Sequence, residues 1–484
     1  MPKKILIVDD DALVIKTLSK CLSSLKYNVE IAQSGKQALA KARENNFDLI
    51  ISDVRMPQID GIETIRRIKE DNPQYSNIPV ILITGYAGRG DIDKEAKELG
   101  IIECLYKPFD LGEFTRLVKA ALKTPVEPAT ETPFKQEEVS LEFKALTREM
   151  AEYIAGIKEE FDRFDRENKN PEEQIAYIRQ NRHRVFKELD RFFAAVWEKV
   201  KTLDKDGYFL YQKHFQSVIL PLIEIPVEIN RHIYQKPLGY AGDYIIINYI
   251  YDYYGDERYL GSSSYEKLIN NYTCNIPVSF SNIERKRFLK NKILETLGAS
   301  GKEKVRILSA ACGPARELLE LTQEGRINTY LNFMALDFEM LALDYIKSQI
   351  SAMDKAKTGN LNIEYICRDI TGIIRDKKLK EQVKSCDLIY AFGIFDYLSE
   401  RMASRLTREL FELLCPGGEL VICNISSENA THRAYYEFLG EWNMVHRTKE
   451  QMLSWVENLG GVKNIKFEEP TDFTSYLFLS VRKG

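Results

Sequence analysis

The stretch VRILSAACGPARELL, Val305 to Leu319, decides how the second half of this chain is read. An apolar run breaks into small residues at Ser309 to Gly313 and then continues with helical spacing, which predicts a strand, a tight turn and the start of a helix. In an open α/β sheet such a turn lies at the carboxyl edge, where small residues let a ligand approach the backbone and the helix start favours negative charge. Some twenty residues on, a second apolar run, Leu331 to Leu336, ends in Asp337, the position expected of a carboxylate that grips a ribose. Together they outline a nucleoside pocket.

The pattern continues. Ile363 to Asp369 (IEYICRD) is another strand ending in an acid, Cys386 to Tyr397 (CDLIYAFGIFDY) reads as a fourth strand, and CPGGELVICNI from Cys415 gives a turn and a fifth. Taken together these segments resemble the class I S-adenosylmethionine (SAM) methyltransferases, which implies a Rossmann-like sheet over residues 297–484. SAM would lie against Ser309, Ala311, Gly313, Asp337 and Asp369, with Asp369 facing the adenine amino group. The loop departs from the family's first motif: Ser309 stands where an acid is usual, and Ala311 and Ala315 replace two of three glycines.

Bulk properties bound the rest. A chain of 484 residues has room for about three domains. An apolar fraction of 44% without a long uncharged run predicts a soluble protein with no stable membrane insertion. A net charge of −4 supplies no general field for nucleic acid, and no separate helix-turn-helix domain is recognisable. MPKKILIVDDD enters a strand too early and too acidic for a signal peptide, so a cytoplasmic location is expected. Eight cysteines without close CxxC pairs read as reduced thiols rather than structural zinc.

Residues 1–123 alternate strand and helix. KKILIVDD ends on Asp9 and Asp10, FDLIISD on Asp53, IPVILITG carries Thr84 and CLYKPF carries Lys107. A parallel sheet puts all of these at one edge, and three carboxylates gathered there call for a divalent cation. The acid pair, DVRMPQIDG, ITGYA and YKPF resemble response-regulator receiver domains of flavodoxin-like fold. The resemblance implies that Asp53 accepts a phosphoryl group from a sensor histidine kinase. Asp9, Asp10, Asp53 and the carbonyl of Arg55 would hold Mg²⁺, and Thr84 and Lys107 would bind phosphoryl oxygens. Asp60 and Gly61 shape the following turn. Cys104 stands where receivers usually carry a switch aromatic.

Residues 124–138, rich in Pro, Thr and Glu, form a semi-extended linker. From 139 to 296 the pattern is helical, with Pro171 opening a new helix, and it fits either a packed bundle or a coiled coil that would make a homodimer. Nine tyrosines between Tyr240 and Tyr272 suit a pocket wall or a sealed helix interface. GYAGDY ahead of the sheet resembles the bacterial methyltransferase family that includes the enzyme making 3-hydroxypalmitic acid methyl ester, a quorum signal. Carried over, residues 139–296 cap the SAM site, with Tyr240, Gly242 and Asp243 lining the pocket. Arg285 or Arg287 would meet the SAM carboxylate.

A fatty carboxylate is already ionised at neutral pH and needs orientation rather than a base. No acid-base motif stands out among Asp396, Tyr397, Asn424, His432 and Trp442. The expected output is therefore O-methylation of a small acyl substrate held by Tyr240, Tyr397 or His432. The alternatives are methylation of another small molecule or of a protein, or SAM sensing without turnover.

Overall fold

Continuous runs of Ile, Leu and Val bounded by polar turns become buried parallel strands, and the amphipathic segments between them become covering helices. The computed structural model describes residues 3–10, 12–54, 56, 59–84, 99–106, 111–122, 139–223, 227–238, 240–256, 260–299, 301–428, 432–468 and 475–484. They divide into two compact units, the N-terminal one and one built from residue 139 onward apart from 235–240.

The N-terminal unit holds five strands, β1 (Lys4–Val8), β2 (Asn28–Ala32), β3 (Leu49–Asp53), β4 (Val80–Thr84) and β5 (Glu103–Tyr106), all parallel in the order β2-β1-β3-β4-β5. This is the flavodoxin-like order. Helices α1 (Ala12–Ser24), α2 (Gly35–Glu44), α3 (Gly61–Asp71) and α4 (Leu111–Ala121) cover it. Alternate strand residues feed two cores: Leu6, Val8, Ile50 and Leu82 meet Ile62 and Ile65 on one face, while Ile5, Ile7, Ile51 and Ile83 meet Leu18, Leu22 and Phe114 on the other. Asp60 caps α3 by accepting from the Glu63 N–H at 2.8 Å. A methyl group on Gly61 would lie 1.9 Å from the Asp53 carbonyl oxygen, so only glycine lets α3 start this close to the strand end.

The second unit contains seven strands, β6 (Lys304–Ala310), β7 (Tyr330–Asp337), β8 (Leu361–Cys367), β9 (Cys386–Ala391), β10 (Leu414–Ile425), β11 (Val462–Glu468) and β12 (Tyr476–Lys483), in the order β11-β12-β10-β9-β6-β7-β8. β8, β7, β6, β9 and β10 are parallel, and β12 runs antiparallel to both of its neighbours. The chain leaves β6 towards β7 and β8, then returns to the other side of β6 to lay down β9, so a topological switch point lies between β6 and β9.

Helices α5 (Leu141–Glu167), α6 (Pro171–Val200), α7 (Lys205–Ile223), α8 (Glu228–Gln235), α9 (Tyr244–Asp256), α10 (Ser264–Asn275) and α11 (Pro277–Ala299) precede the sheet. Asn170 caps α6 and Pro171 occupies its first turn, as the sequence predicts. These helices pack as a bundle whose apolar faces, including Phe143, Phe161, Phe193, Phe215 and Ile283, share one core with Ile307, Phe333, Tyr390, Val421 and Phe478 on the sheet. The helical segment and the sheet thus form a single body, and the expected boundary at 296/297 falls inside α11. The opposite face of the sheet, Leu308, Leu336, Ile389 and Ile422, packs on Leu406 and Leu410.

Candidate functional sites

Adjacent β1 and β3 end together, which brings Asp9, Asp10 and Asp53 to one edge with ligating oxygens all within 4.8 Å of one another. Asp9 and Asp53 are buried and Asp10 is exposed. Three carboxylates this close repel unless a cation sits among them, and their hard oxygens suit Mg²⁺. Thr84 ends the neighbouring strand β4, its backbone paired with Tyr106. Arg55 and Lys107, expected at this edge, lie outside the described residues.

In the second unit the turn after β6 is held in an unusual backbone state. Ala311, Gly313 and Ala315 have φ of +57°, +51° and +43°, left-handed values that L residues rarely adopt. The turn is fixed to β7: the Cys312 N–H donates to the Leu336 carbonyl at 3.0 Å, and the Gly313 N–H donates to Asp337 Oδ2 at 2.8 Å. The Glu339 N–H donates to Asp337 Oδ1 at 2.9 Å. Burial pushes the Asp337 carboxyl above its usual range, against the pull of these N–H groups. A methyl group added at Gly313 would meet no atom within 4 Å, so the space over this residue is open. Beside Asp337, Phe338, Met340 and Leu341 expose about half of their surface at 53%, 52% and 50%. Asp369, after β8, is exposed and accepts from the Thr371 N–H at 2.6 Å.

Ser309 is buried on β6 beside Tyr390, its register partner on β9. The Tyr390 hydroxyl also donates to Glu317 Oε1 at 2.7 Å. Glu317 stands in the first turn of α12 (Arg316–Gln323) and is buried. Sequence reasoning passed over this residue, although its spacing to Leu321 puts it on the buried helix face.

The structure separates the two candidate arginines. Arg285 is buried, its guanidinium 5.6 Å from the centre of the Tyr476 ring and reaching Gly393 at the end of β9. Arg287 is half exposed and pairs with Glu284 at 2.7 Å, so the buried position belongs to its neighbour two residues earlier. Gly242 packs against Tyr397 and Trp442: a methyl there would come within 2.6 Å of the Trp442 ring, and the Trp442 indole N–H donates to the Tyr397 hydroxyl at 2.6 Å.

Two other expected residues are committed elsewhere. Asp243 is fully buried, caps α9 through the Ile245 and Ile246 N–H groups at 3.0 Å, and pairs with His232 at 2.7 Å. His432 binds Asp190 of α6 at 2.8 Å, where the Tyr272 hydroxyl also donates, which fastens the segment after β10 to the bundle. Tyr240 is half-buried ahead of the Gly242 turn. Of the tyrosine-rich segment, Tyr265 and Tyr272 serve helix packing, bonding Leu222 and Asp190.

Next to Trp442 lies a small apolar cavity of ≈30 Å³, lined by Leu220, Ile233, Ile250, Val278 and Leu439 among others. One wall carries a polar group in which Thr273 and Tyr435 both donate to Asn230 Oδ1, at 2.9 and 3.1 Å. The segment that carries Tyr397 is held by buried Arg447, which donates to the Phe395 carbonyl at 2.8 Å, to Asn424 Oδ1 at 2.6 Å, to Glu400 at 3.0 Å and to the Leu398 carbonyl.

Among the described residues no helix is long and apolar enough to cross a membrane. Residues 5–119 match the family model described as the response regulator receiver domain. Over 135 residues the chain is 40% identical to the transcriptional regulatory protein ZraR of Klebsiella oxytoca, a match covering 27% of this chain and 30% of that protein. Over 123 residues it is 40% identical to the protein-glutamate methylesterase/protein-glutamine glutaminase of Trichodesmium erythraeum, covering 25% of this chain and 34% of that one. The chain therefore spans about a third of the length of these relatives. Among solved structures, the chemotaxis protein CheY4 of Vibrio cholerae is 33% identical over 25% of this chain and all of its own, with a TM-score of 0.24. The N-terminal domain, with its acid-lined sheet edge, is a response regulator receiver domain of a two-component system.

Proposed function

We propose that this chain is a response regulator with a SAM-dependent methyltransferase output, phosphorylated on Asp53, and that the output esterifies the carboxylate of a fatty or 3-hydroxy-fatty acid. The observation that carries the output reading is the turn after β6, beside the switch point, where the Gly313 N–H donates to Asp337 at the end of β7 and the space at Gly313 is open. Open α/β sheets take their ligands at that point. The parallel order β8-β7-β6-β9-β10, closed by an antiparallel β12, supports the Rossmann-like assignment of the resembled family.

The residues present fit SAM. Asp337 retains lone pairs for the ribose hydroxyls, the exposed apolar side chains beside it offer a surface to adenine, and buried Arg285 offers a partner to the carboxylate. SAM supplies a methyl group activated by its sulfonium. The chain's own work is then orientation and exclusion of water: a carboxylate substrate needs no proton removed at neutral pH, and the apolar side chains beside Trp442 offer surface to an aliphatic tail.

Calorimetry with SAM, followed by label transfer from methyl-labelled SAM to fatty acids, amines and lysate proteins, tests this reading. The expected result is SAM binding and label in an acyl methyl ester, at a rate that changes when an acyl phosphate donor is added. Label in amines or proteins would move the substrate class. SAM binding without product on any substrate would make the output a sensor, and no binding of SAM would end the methyltransferase reading.

A further inference from the structure

The missing acid at Ser309 leaves a gap in charge, because the amino-acid end of SAM brings an ammonium that needs a negative partner out of water. We propose, on the SAM reading above, that Glu317 supplies this charge from the first turn of α12 and binds the ammonium while Arg285 binds the carboxylate.

The geometry links Glu317 to the vacant position directly. Ser309 and Tyr390 are register partners on β6 and β9, and the Tyr390 hydroxyl donates to Glu317 Oε1 at 2.7 Å. The carboxylate that a strand-end acid would provide has thus been moved one residue contact away, onto the helix, with Tyr390 bridging the two positions.

Charge makes the same point. Glu317 is 5% exposed and Arg285 8% exposed. Among the described residues neither forms an ion pair, with each other or with a third group. The nearby lysines of α11, Lys286 and Lys290, are taken by Glu320. Two opposite charges buried close enough to influence each other yet not joined are costly in a bare core. They suit a zwitterion whose two ends complete both pairs. Burial holds the Glu317 carboxyl above its usual range, which the arrival of a cation would reverse.

Glu317→Gln keeps the volume and the acceptor for Tyr390 while removing the charge. The test is the calorimetric affinity of the full chain for SAM, for S-adenosylhomocysteine, and for 5′-methylthioadenosine, which keeps the adenosine and sulfur but lacks the amino-acid group. Glu317→Gln is expected to weaken the first two by about tenfold to a hundredfold and to leave the third unchanged. Adding Ser309→Asp to Glu317→Gln returns the charge to the strand end and is expected to recover part of the loss. Tyr390→Phe, which frees the carboxylate from its orienting hydroxyl, is expected to show the same selectivity at smaller size. Unchanged SAM affinity in Glu317→Gln, or equal loss for all three ligands, overturns the assignment while the SAM reading stands. Failure of the wild-type chain to bind any of the three overturns both.

Discussion

Gly313→Ala separates a ligand crevice from an ordinary packing turn. At φ +51° an L residue loses about 1–2 kcal/mol, but alanine also restricts the unfolded chain and so returns about 0.4–1 kcal/mol. The added methyl meets no atom within 4 Å, so no clash adds to this. Ala311 and Ala315 already occupy the left-handed region in the same turn, which shows that this backbone tolerates a Cβ. The expected net loss of stability is about 0–1.5 kcal/mol, read as a shift of the denaturant midpoint at constant slope. Binding is affected far more on the proposed reading, because the methyl enters the open space beside the turn that the nucleoside would occupy. An overpacking penalty of about 1–3 kcal/mol corresponds to roughly tenfold to a hundredfold in Kd. Ala311→Gly is the control: it removes strain, gains up to about 1.5 kcal/mol and leaves affinity in place. Wild-type SAM affinity in Gly313→Ala would refute the reasoning, as would a stability loss much beyond the backbone figure.

Asp53→Asn should abolish the mass increase that an acyl phosphate with Mg²⁺ gives the wild-type chain, and chelation of the metal should do the same, since the three carboxylates need a cation between them. Arg447→Lys replaces a fork with four acceptors by a point donor and should lower unfolding stability by about 2–4 kcal/mol, measured by denaturant titration. Asp396, buried under the Ile425 N–H at 2.7 Å, has its carboxyl pushed up to about 6 by desolvation. The folded state then binds its proton more tightly than the unfolded state, so this group's contribution to stability falls as pH rises from about 4 to about 6, by about 3 kcal/mol in all. Asp396→Asn should remove that slope, and parallel curves for the two proteins would contradict it.

Apart from β2 (NVEIA), which lies mostly outside the core, most of the parallel strands were legible because they are largely apolar runs ending in a small residue or an acid. The antiparallel pair β11 and β12 was not. β11 (VKNIKFE) is an edge strand with most of its side chains in water, so it lacks the apolar run that marked the others. The choice between Arg285 and Arg287 was also closed to sequence reasoning: residues two apart on a helix point to nearly opposite sides, and α11 buries charged residues such as Glu284 and Lys292 around much of its circumference. Lys292, for instance, pairs with Glu419 and Glu468, far along the chain, as well as with Glu295 on its own helix. The same holds for Tyr272 and His432, whose shared partner Asp190 lies on another helix. Periodicity reports which face is buried and is silent about who answers a buried charge.

The loss of two glycines in the turn after β6 bears on its role in a direction opposite to first impression. Left-handed φ at alanine costs about 1–2 kcal/mol per residue. Here the conformation persists at both Ala311 and Ala315. Two bonds to β7 hold it, from Cys312 N–H to the Leu336 carbonyl and from Gly313 N–H to Asp337. Glycine remains at the middle position, the one where a side chain would enter the open space. The feature under constraint is therefore the shape of the turn and the clearance over Gly313, while glycine content as such is dispensable. Strain retained beside a buried carboxylate supports the ligand crevice proposed above.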